Sequence, residues 1–223
     1  MSDDRPAVPF TVARLADAEE LTLSFAPELG WKPLRHLLGV HAFGMNAYIA
    51  HVAGSQLIEE HDELAGSAGG HEEVYFIFAG HAVFTVAGEE LDGPAGTFVA
   101  VHDPAARRSA TALEAGTVAL AIGGPPGRAF EISPWEFSFR AEAASRSGRV
   151  DEALAIVIEG LAARPDDPSL LYNAACYESL AGRAANALAH LCRAVELDPK
   201  YAEYAADDAD LEPLRADPGF PRT

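Results

Sequence analysis

Apolar residues follow two different patterns along the chain. In the first half they fall in short runs separated by glycine-rich turns, and in the second half they recur at helical spacing. Short runs with frequent turn signals are typical of β-sandwiches and small barrels. The runs that predict strands are residues 47–52, 57–63, 73–78, 82–86, 97–101, 109–113 and 117–122. We therefore predict a mixed α and β protein, with an antiparallel β domain followed by an α-helical one.

The pattern changes at a stretch rich in glycine and proline, residues 123–127. We assign residues 34–127 to the β domain and residues 1–33 to an N-terminal extension that packs on it. The helical part takes residues 128–201, and residues 202–223 form an acidic C-terminal cap.

The helical part repeats itself at an offset of 34 residues. Each copy has a residue suited to an N-cap, Ser133 or Asp167, followed by proline at the first helical position. Each copy then turns at a glycine, Gly148 or Gly182. Two helical hairpins are predicted, and Ser133 with Glu136 has the spacing of a capping box.

Small residues and a proline recur at fixed places in the two copies. They are Ala141, Ala153, Gly160 and Pro165, then Ala175, Ala187, Ala194 and Pro199. This pattern resembles tetratricopeptide repeats. The resemblance implies a module for protein contacts, whose partner is another protein or the chain's own barrel. Such arrays usually need about three repeats, so both ends require cover, from the C-terminal cap and from the aromatic residues around Trp135.

Two segments of the β domain resemble the motifs of the cupin barrel family. Glu73 and Gly80 match the end of the first motif, and Gly96 opens the second. The resemblance implies an RmlC-like, antiparallel double-stranded β-helix. The family's His-x-His is replaced here by His61-Asp-Glu63, and its metal-binding histidine of the second motif falls on Arg107.

Four side chains of ligand type are candidates for a metal site. The alternation of a strand places His61 with Glu63, and His71 with Glu73, on common faces. Imidazole and carboxylate together suit one divalent ion, such as zinc, iron, manganese or nickel. The alternative is that these side chains lie at the solvated mouth of the barrel and hold its loop by hydrogen bonds.

Two further residues are candidates for contact with a small ligand. Arg107 cannot coordinate a cation. If it points inward, it forms a structural ion pair with Glu73 or Glu63, or it binds a carboxylate or phosphate of a ligand. Tyr75 shares the face of Glu73 and is either part of the core or an aromatic wall of the site.

Composition restricts the partners. Thirty-four acidic residues against 16 basic ones give a formal charge of −18, which repels nucleic acid and anionic membranes. We see no secretory signal and no apolar run long enough for a membrane span, so a cytoplasmic location is expected. Cys176 and Cys192 are predicted to be buried free thiols.

These observations favour a cytoplasmic protein whose barrel binds a small molecule, with or without a divalent metal, and whose repeats contact a protein. The alternative is a metal-dependent enzyme of the dioxygenase or isomerase class with a small anionic substrate. A third interpretation is an assembly surface without a ligand. Val74, Phe76 and Phe78 form an apolar outer face and predict a homodimer.

Overall fold

The computed structural model of the chain describes residues 10–64, 69–127 and 129–222. It divides into two units, Met1–Ile132 and Ser133–Thr223, which we call the β unit and the helical unit. The division follows the stretch rich in glycine and proline. In the described part of the chain, no helix has the length and apolar character that spanning a membrane requires.

The β unit consists of two antiparallel sheets, as predicted. One has the strand order β1-β2-β3-β10-β5-β8 and the other β4-β9-β6-β7. The strands are β1 Leu21–Leu23, β2 Ala26–Lys32, β3 Gly44–Ala50, β4 Gln56–His61, β5 Glu72–Ala79, β6 His81–Val86, β7 Glu89–Pro94, β8 Phe98–Val101, β9 Arg108–Ala112 and β10 Thr117–Gly124. A short helix, α1 Leu34–Leu38, lies between β2 and β3.

Alternating side chains from both sheets form one core. In β5 the inward positions carry Tyr75 and Ile77, and in β6 they carry Ala82 and Phe84, all of them buried. Burial of this apolar surface is the main force that holds the sheets together. The outward positions of β5, which carry Val74, Phe76 and Phe78, are partly or fully exposed.

The segment predicted as an N-terminal extension contributes two strands to the larger sheet. Trp31 of β2 lies opposite Tyr48 of β3 and is fully buried. Lys32 donates through Nζ to the carbonyl of Ala18 at 2.7 Å, which fixes the chain before β1. The described residues of this segment are therefore part of the β unit itself.

The helical unit contains the two predicted hairpins. The first is formed by α2 Pro134–Arg146 and α3 Val150–Ala163, and the second by α4 Pro168–Leu180 and α5 Ala184–Leu197. The second pair begins and ends 34 residues after the first. Gly148 and Gly182 have φ angles of +76° and +73°, which explains why glycine stands at both turns.

The C-terminal segment packs on the second hairpin. It contains α6 Lys200–Asp207 and a 3₁₀ helix, Ala209–Leu214. Leu211 is fully buried, and the hydroxyl of Tyr172 in α4 donates to Asp208 Oδ2 at 2.7 Å. This segment therefore covers one end of the pair of hairpins, as a cap must.

The two N-caps differ in a way that mutation can measure. Asp167 accepts hydrogen bonds from the backbone N–H groups of Ser169 and Leu170, whereas the side chain of Ser133 makes no cap hydrogen bond. The capping box predicted for Ser133 and Glu136 is therefore wrong. We expect Asp167→Ala to lower the free energy of unfolding by about 1 kcal/mol. Ser133→Ala should lower it by less than about 0.5 kcal/mol.

Urea unfolding followed by circular dichroism at 222 nm compares the two variants. Equal losses would show that the backbone, and not the Asp167 carboxylate, determines the stability of the helix start.

Candidate functional site

Three of the predicted side chains converge inside the β unit. His61 ends β4, Glu63 follows it, and Glu73 lies at the start of β5. His61 Nε2 is 3.6 Å from Glu63 Oε1 and also 3.6 Å from Glu73 Oε2. One ligand atom from each residue lies within 4.8 Å of the others. We call His61, Glu63 and Glu73 the carboxylate–histidine cluster.

The neighbouring strands explain why Glu73 can reach this position. In the register of the larger sheet, Glu73 lies opposite Gly123 of β10. A Cβ atom at Gly123 would lie 3.0 Å from Glu73 Cγ, which is tighter than ordinary contact. The glycine therefore leaves room for the Glu73 side chain to lie across the strand.

His71 lies beside the cluster but not within it. Its Nδ1 is 3.4 Å from Glu63 Oε2, and its ring packs against Phe130 with 5.6 Å between the centroids. The loop that was expected to bring four ligands together includes residues 65–68, which lie outside the described residues. His71 thus contacts one carboxylate of the cluster, while the other three residues face a common point.

The imidazole of His61 has a defined orientation. Its Nδ1 lies 2.7 Å from the carbonyl oxygen of Glu59, and a carbonyl oxygen only accepts, so Nδ1 must carry a proton. In the neutral ring the lone pair is then on Nε2, which points at Glu63 and Glu73. This is the arrangement by which a backbone carbonyl usually orients a metal-binding histidine.

Tyr75 belongs to the core and contacts the carboxylate–histidine cluster. Only 1% of the residue is exposed, and its hydroxyl donates to Glu73 Oε2 at 2.5 Å. Burial and the neighbouring Glu73 carboxylate raise the pKa of Tyr75 well above its ordinary value. The phenol therefore stays protonated and acts as a hydrogen-bond donor that holds Glu73 in place.

The inward arginine is Arg108 and not Arg107. The side chain of Arg107 is 60% exposed, and its Nε donates to Glu60 Oε1 at 2.8 Å on the outer surface. Arg108 is buried, with Nε 3.5 Å from Glu73 Oε2, and its Nη1 donates to the carbonyl of Pro104 at 3.4 Å. The inward position on which both roles of Arg107 depended is therefore occupied by Arg108, because the alternation of β9 directs Arg108, Ala110 and Ala112 into the core.

Several buried polar atoms near the cluster lack a hydrogen-bond partner. Among the described residues they include Nε and Nη2 of Arg108 and Oε2 of Glu63. The contacts of Arg108 Nε with Glu73 and of Glu63 Oε2 with His71 are ion-pair contacts of 3.5 and 3.4 Å. A buried polar group without a hydrogen-bond partner costs folding free energy. A further polar or ionic group bound here would therefore stabilise this part of the core.

The two carboxyl groups differ in pKa. Burial, followed by repulsion from Glu73, raises the pKa of Glu63. Burial also acts to raise the pKa of Glu73, but hydrogen bonds from His61 and Tyr75 outweigh it and hold that pKa below its ordinary value. Burial acts to lower the pKa of His61, yet its bonds to Glu73 and to the Glu59 carbonyl leave it raised.

The donor set fits one divalent cation. Nε2 of His61 faces two carboxylate oxygens and offers a lone pair once it is deprotonated, and Glu63 Oε2 is buried without a hydrogen-bond partner. Mixed imidazole and carboxylate ligands suit zinc, iron, manganese or nickel. The residues of the cluster therefore fit a metal, while the cation of Arg108 lies against one of the ligands.

A second group of metal-ligand type lies in the helical unit, where sequence reasoning predicted no site. Cys176, Asp208 and Asp210 each offer one atom within 4.8 Å of the others. Asp208 already accepts from the Tyr172 hydroxyl and from the Asp210 N–H. Burial and Asp208 raise the pKa of the Cys176 thiol, which therefore stays protonated. We interpret this group as part of the cap. Both cysteines are free, and Cys176 is buried as predicted, whereas Cys192 is only partly buried.

No protein-family model and no curated protein matches the chain. Similar solved structures cover about half of it. One is KdgF from Halomonas sp., with a TM-score of 0.39 and 13% identity over 50% of this chain and 90% of that chain. Another is a predicted oxalate decarboxylase from Thermotoga maritima, with a TM-score of 0.42 and 18% identity over 51% and 97%. A third is an RmlC-like cupin from Shewanella frigidimarina, with a TM-score of 0.40 and 15% identity over 52% and 91%.

Proposed function

We propose that the β unit is a cupin-type barrel that binds a small molecule beside a divalent metal ion in a cytoplasmic protein. The observation that carries the proposal is the carboxylate–histidine cluster, in which His61 Nε2 faces two carboxylates. A bound metal would supply a Lewis acid that polarises a carbonyl or activates water. The Glu59 carbonyl orients His61, and the Tyr75 hydroxyl holds Glu73.

The alternative is catalysis on a small anionic substrate by the same cluster. The pKa of Glu63 is raised and that of Glu73 is lowered, which favours a proton on Glu63 before Glu73. Two carboxyl groups with opposite shifts are the usual basis for dividing acid and base roles. Turnover of a small carboxylate or sugar acid by the metal-loaded protein, lost in Glu63→Gln with metal retained, would favour this alternative.

For the helical unit we propose a tetratricopeptide-type contact module. The equal bounds of the two hairpins and the cap on the second one support it. Asn173 Nδ2 donates to Ser138 Oγ at 2.9 Å, so this amide is already engaged within the helical unit. We propose an apolar segment, rather than an acidic tail, as the partner of the hairpins. Pull-down assays with an apolar peptide and with an acidic peptide distinguish these two kinds of partner.

The homodimer also stays a proposal. The ring of Phe76 stacks on that of Phe98 with 4.4 Å between the centroids, and Phe98 is largely exposed on the edge strand β8. Exposed aromatic residues of this kind are enriched at protein interfaces. Sedimentation equilibrium of the purified chain measures its mass, and a monomer at micromolar concentration would exclude the dimer.

Metal analysis tests the proposed site. We expect purified protein to carry about one equivalent of a divalent metal, because three protein ligands leave positions open for one ion. His61→Ala should lower the content at least about tenfold, because it removes a ligand. His71→Ala should have a smaller effect, since His71 contacts Glu63 from beside the cluster and is not one of the three residues that face a common point.

His81→Ala is the matched control for these variants. His81 is partly exposed and pairs with Asp92 on the smaller sheet, so its loss should leave the metal content unchanged. Inductively coupled plasma mass spectrometry gives the content of all four proteins. Wild-type protein that remains metal-free after incubation with zinc, manganese, iron or nickel would exclude the metal from the proposed function.

A further inference from the structure

We infer that Arg108 is a resident cation that weakens metal binding at the carboxylate–histidine cluster and makes the metal exchangeable. This inference rests on the proposed metal site and assigns Arg108 a positioning role. The side chain acts on the metal through Glu73, whose Oε2 lies 3.5 Å from Arg108 Nε.

The burial of Arg108 excludes a simpler role, direct binding of a ligand. The side chain of Arg108 is 0% exposed, so a small molecule bound in the barrel cannot touch the guanidinium without displacing the core around it. The charge cannot be removed either, because a guanidinium stays protonated in proteins. Arg108 is therefore a fixed positive charge that solvent does not screen.

The oxygen that faces this charge is the one offered to a metal. Glu73 Oε2 accepts from the Tyr75 hydroxyl. Of the two Glu73 oxygens, it is also the one that faces His61 Nε2 and Arg108 Nε. The ion pair and the metal would thus compete for the same carboxylate. Of the two negative charges in the cluster, Arg108 compensates one, which leaves less attraction for a divalent cation.

The magnitude depends on the surroundings. Interactions between charges are several times stronger in a protein interior than in water. Arg107, the next residue, carries the same charge on the surface, where it is paired with Glu60 and screened by solvent. The two neighbouring arginines therefore form a natural pair of test and control.

The test is the affinity for Co²⁺ alone, measured by isothermal titration calorimetry and by the d–d absorption bands of the bound ion. We expect Arg108→Met and Arg108→Gln to tighten Co²⁺ binding about tenfold or more relative to the wild type. Arg107→Met should stay within about twofold, because an exposed charge is screened. A purely structural role of Arg108 predicts the opposite direction, since a disordered Glu73 binds metal less well.

The outcomes separate this inference from the proposed function. If the wild type binds Co²⁺ and neither Arg108 variant binds it more tightly, the inference is wrong and the metal site stands. If none of the proteins binds Co²⁺, the metal site itself is wrong and the inference fails with it. Binding in the Arg108 variants alone would support the inference and remove the metal from the native function. Thermal melting followed by circular dichroism shows whether each variant is folded. If Arg108→Met does not fold, Arg108→Gln provides the test.

Discussion

Replacing Glu73 by alanine should lower the free energy of unfolding by about 3–5 kcal/mol, the range for breaking a buried ion pair by removing one partner. The reason is the guanidinium of Arg108, which has no exposed side-chain surface and whose anionic contact is Glu73. A carboxyl group left alone in a core can take up a proton, but a guanidinium cannot lose one. The loss should therefore be larger than for Arg108→Met. Urea unfolding followed by circular dichroism at neutral pH measures both.

The control for this prediction is the neighbouring pair on the surface. Glu60→Ala removes the partner of Arg107, whose side chain is 60% exposed, and should cost less than about 1 kcal/mol. The double variant Glu73→Ala with Arg108→Met should recover part of the loss, because no buried charge is left unpaired. If Glu73→Ala costs no more than Glu60→Ala, then Glu63 has taken over the pairing and the ion pair is not fixed.

Most of the architecture could be predicted from local patterns. The strands β4, β5 and β9 fall in short runs bounded by turn residues, and the hairpins carry proline and glycine at equivalent places. The strands β1, β2 and β7 were not predicted. In β2, Pro27 and Glu28 interrupt the apolar run, and β7 is mostly polar, with glycine and proline at its end. Such strands form because neighbouring strands pair with them, and that information is not local.

Prediction of the candidate site from the sequence meets the same limit. The strand period of two predicted that His61 and Glu63 share a face, but in the structure β4 ends at His61 and Glu63 follows it. Glu73 reaches them from β5, and that approach depends on the fold and not on local spacing. The inward arginine could not be identified across the loop between β8 and β9, because the count from Gly96 no longer determines the register there. A slip of one residue transfers every side chain of a strand to the other face. The small residues Ala110 and Ala112, which alternate with Arg108, were the signal that could have identified the inward arginine.

Gly80, which sequence comparison could only recognise as part of a motif, has a physical role that predicts the second large effect. It lies between β5 and β6 with a φ angle of +75°. A side chain in the left-handed region costs about 1–2 kcal/mol. A Cβ atom at Gly80 would also lie 2.6 Å from Thr117 Cα, so that backbone would have to move. Overpacking of this kind costs about 1–3 kcal/mol more.

We therefore expect Gly80→Ala to lower the free energy of unfolding by about 2–5 kcal/mol, the sum of these two costs. Thr117 cannot easily make room, because it is fully buried and its hydroxyl accepts from the His81 N–H and donates to the Glu114 carbonyl. Gly88 is the matched control, since its φ angle is +87° and no atom lies within 4 Å of an added Cβ. Gly88→Ala should lower the free energy of unfolding only by the cost of the left-handed backbone conformation, about 1–2 kcal/mol. Urea unfolding of both variants separates the contributions, and equal losses would show that the contact with Thr117 relaxes at no cost.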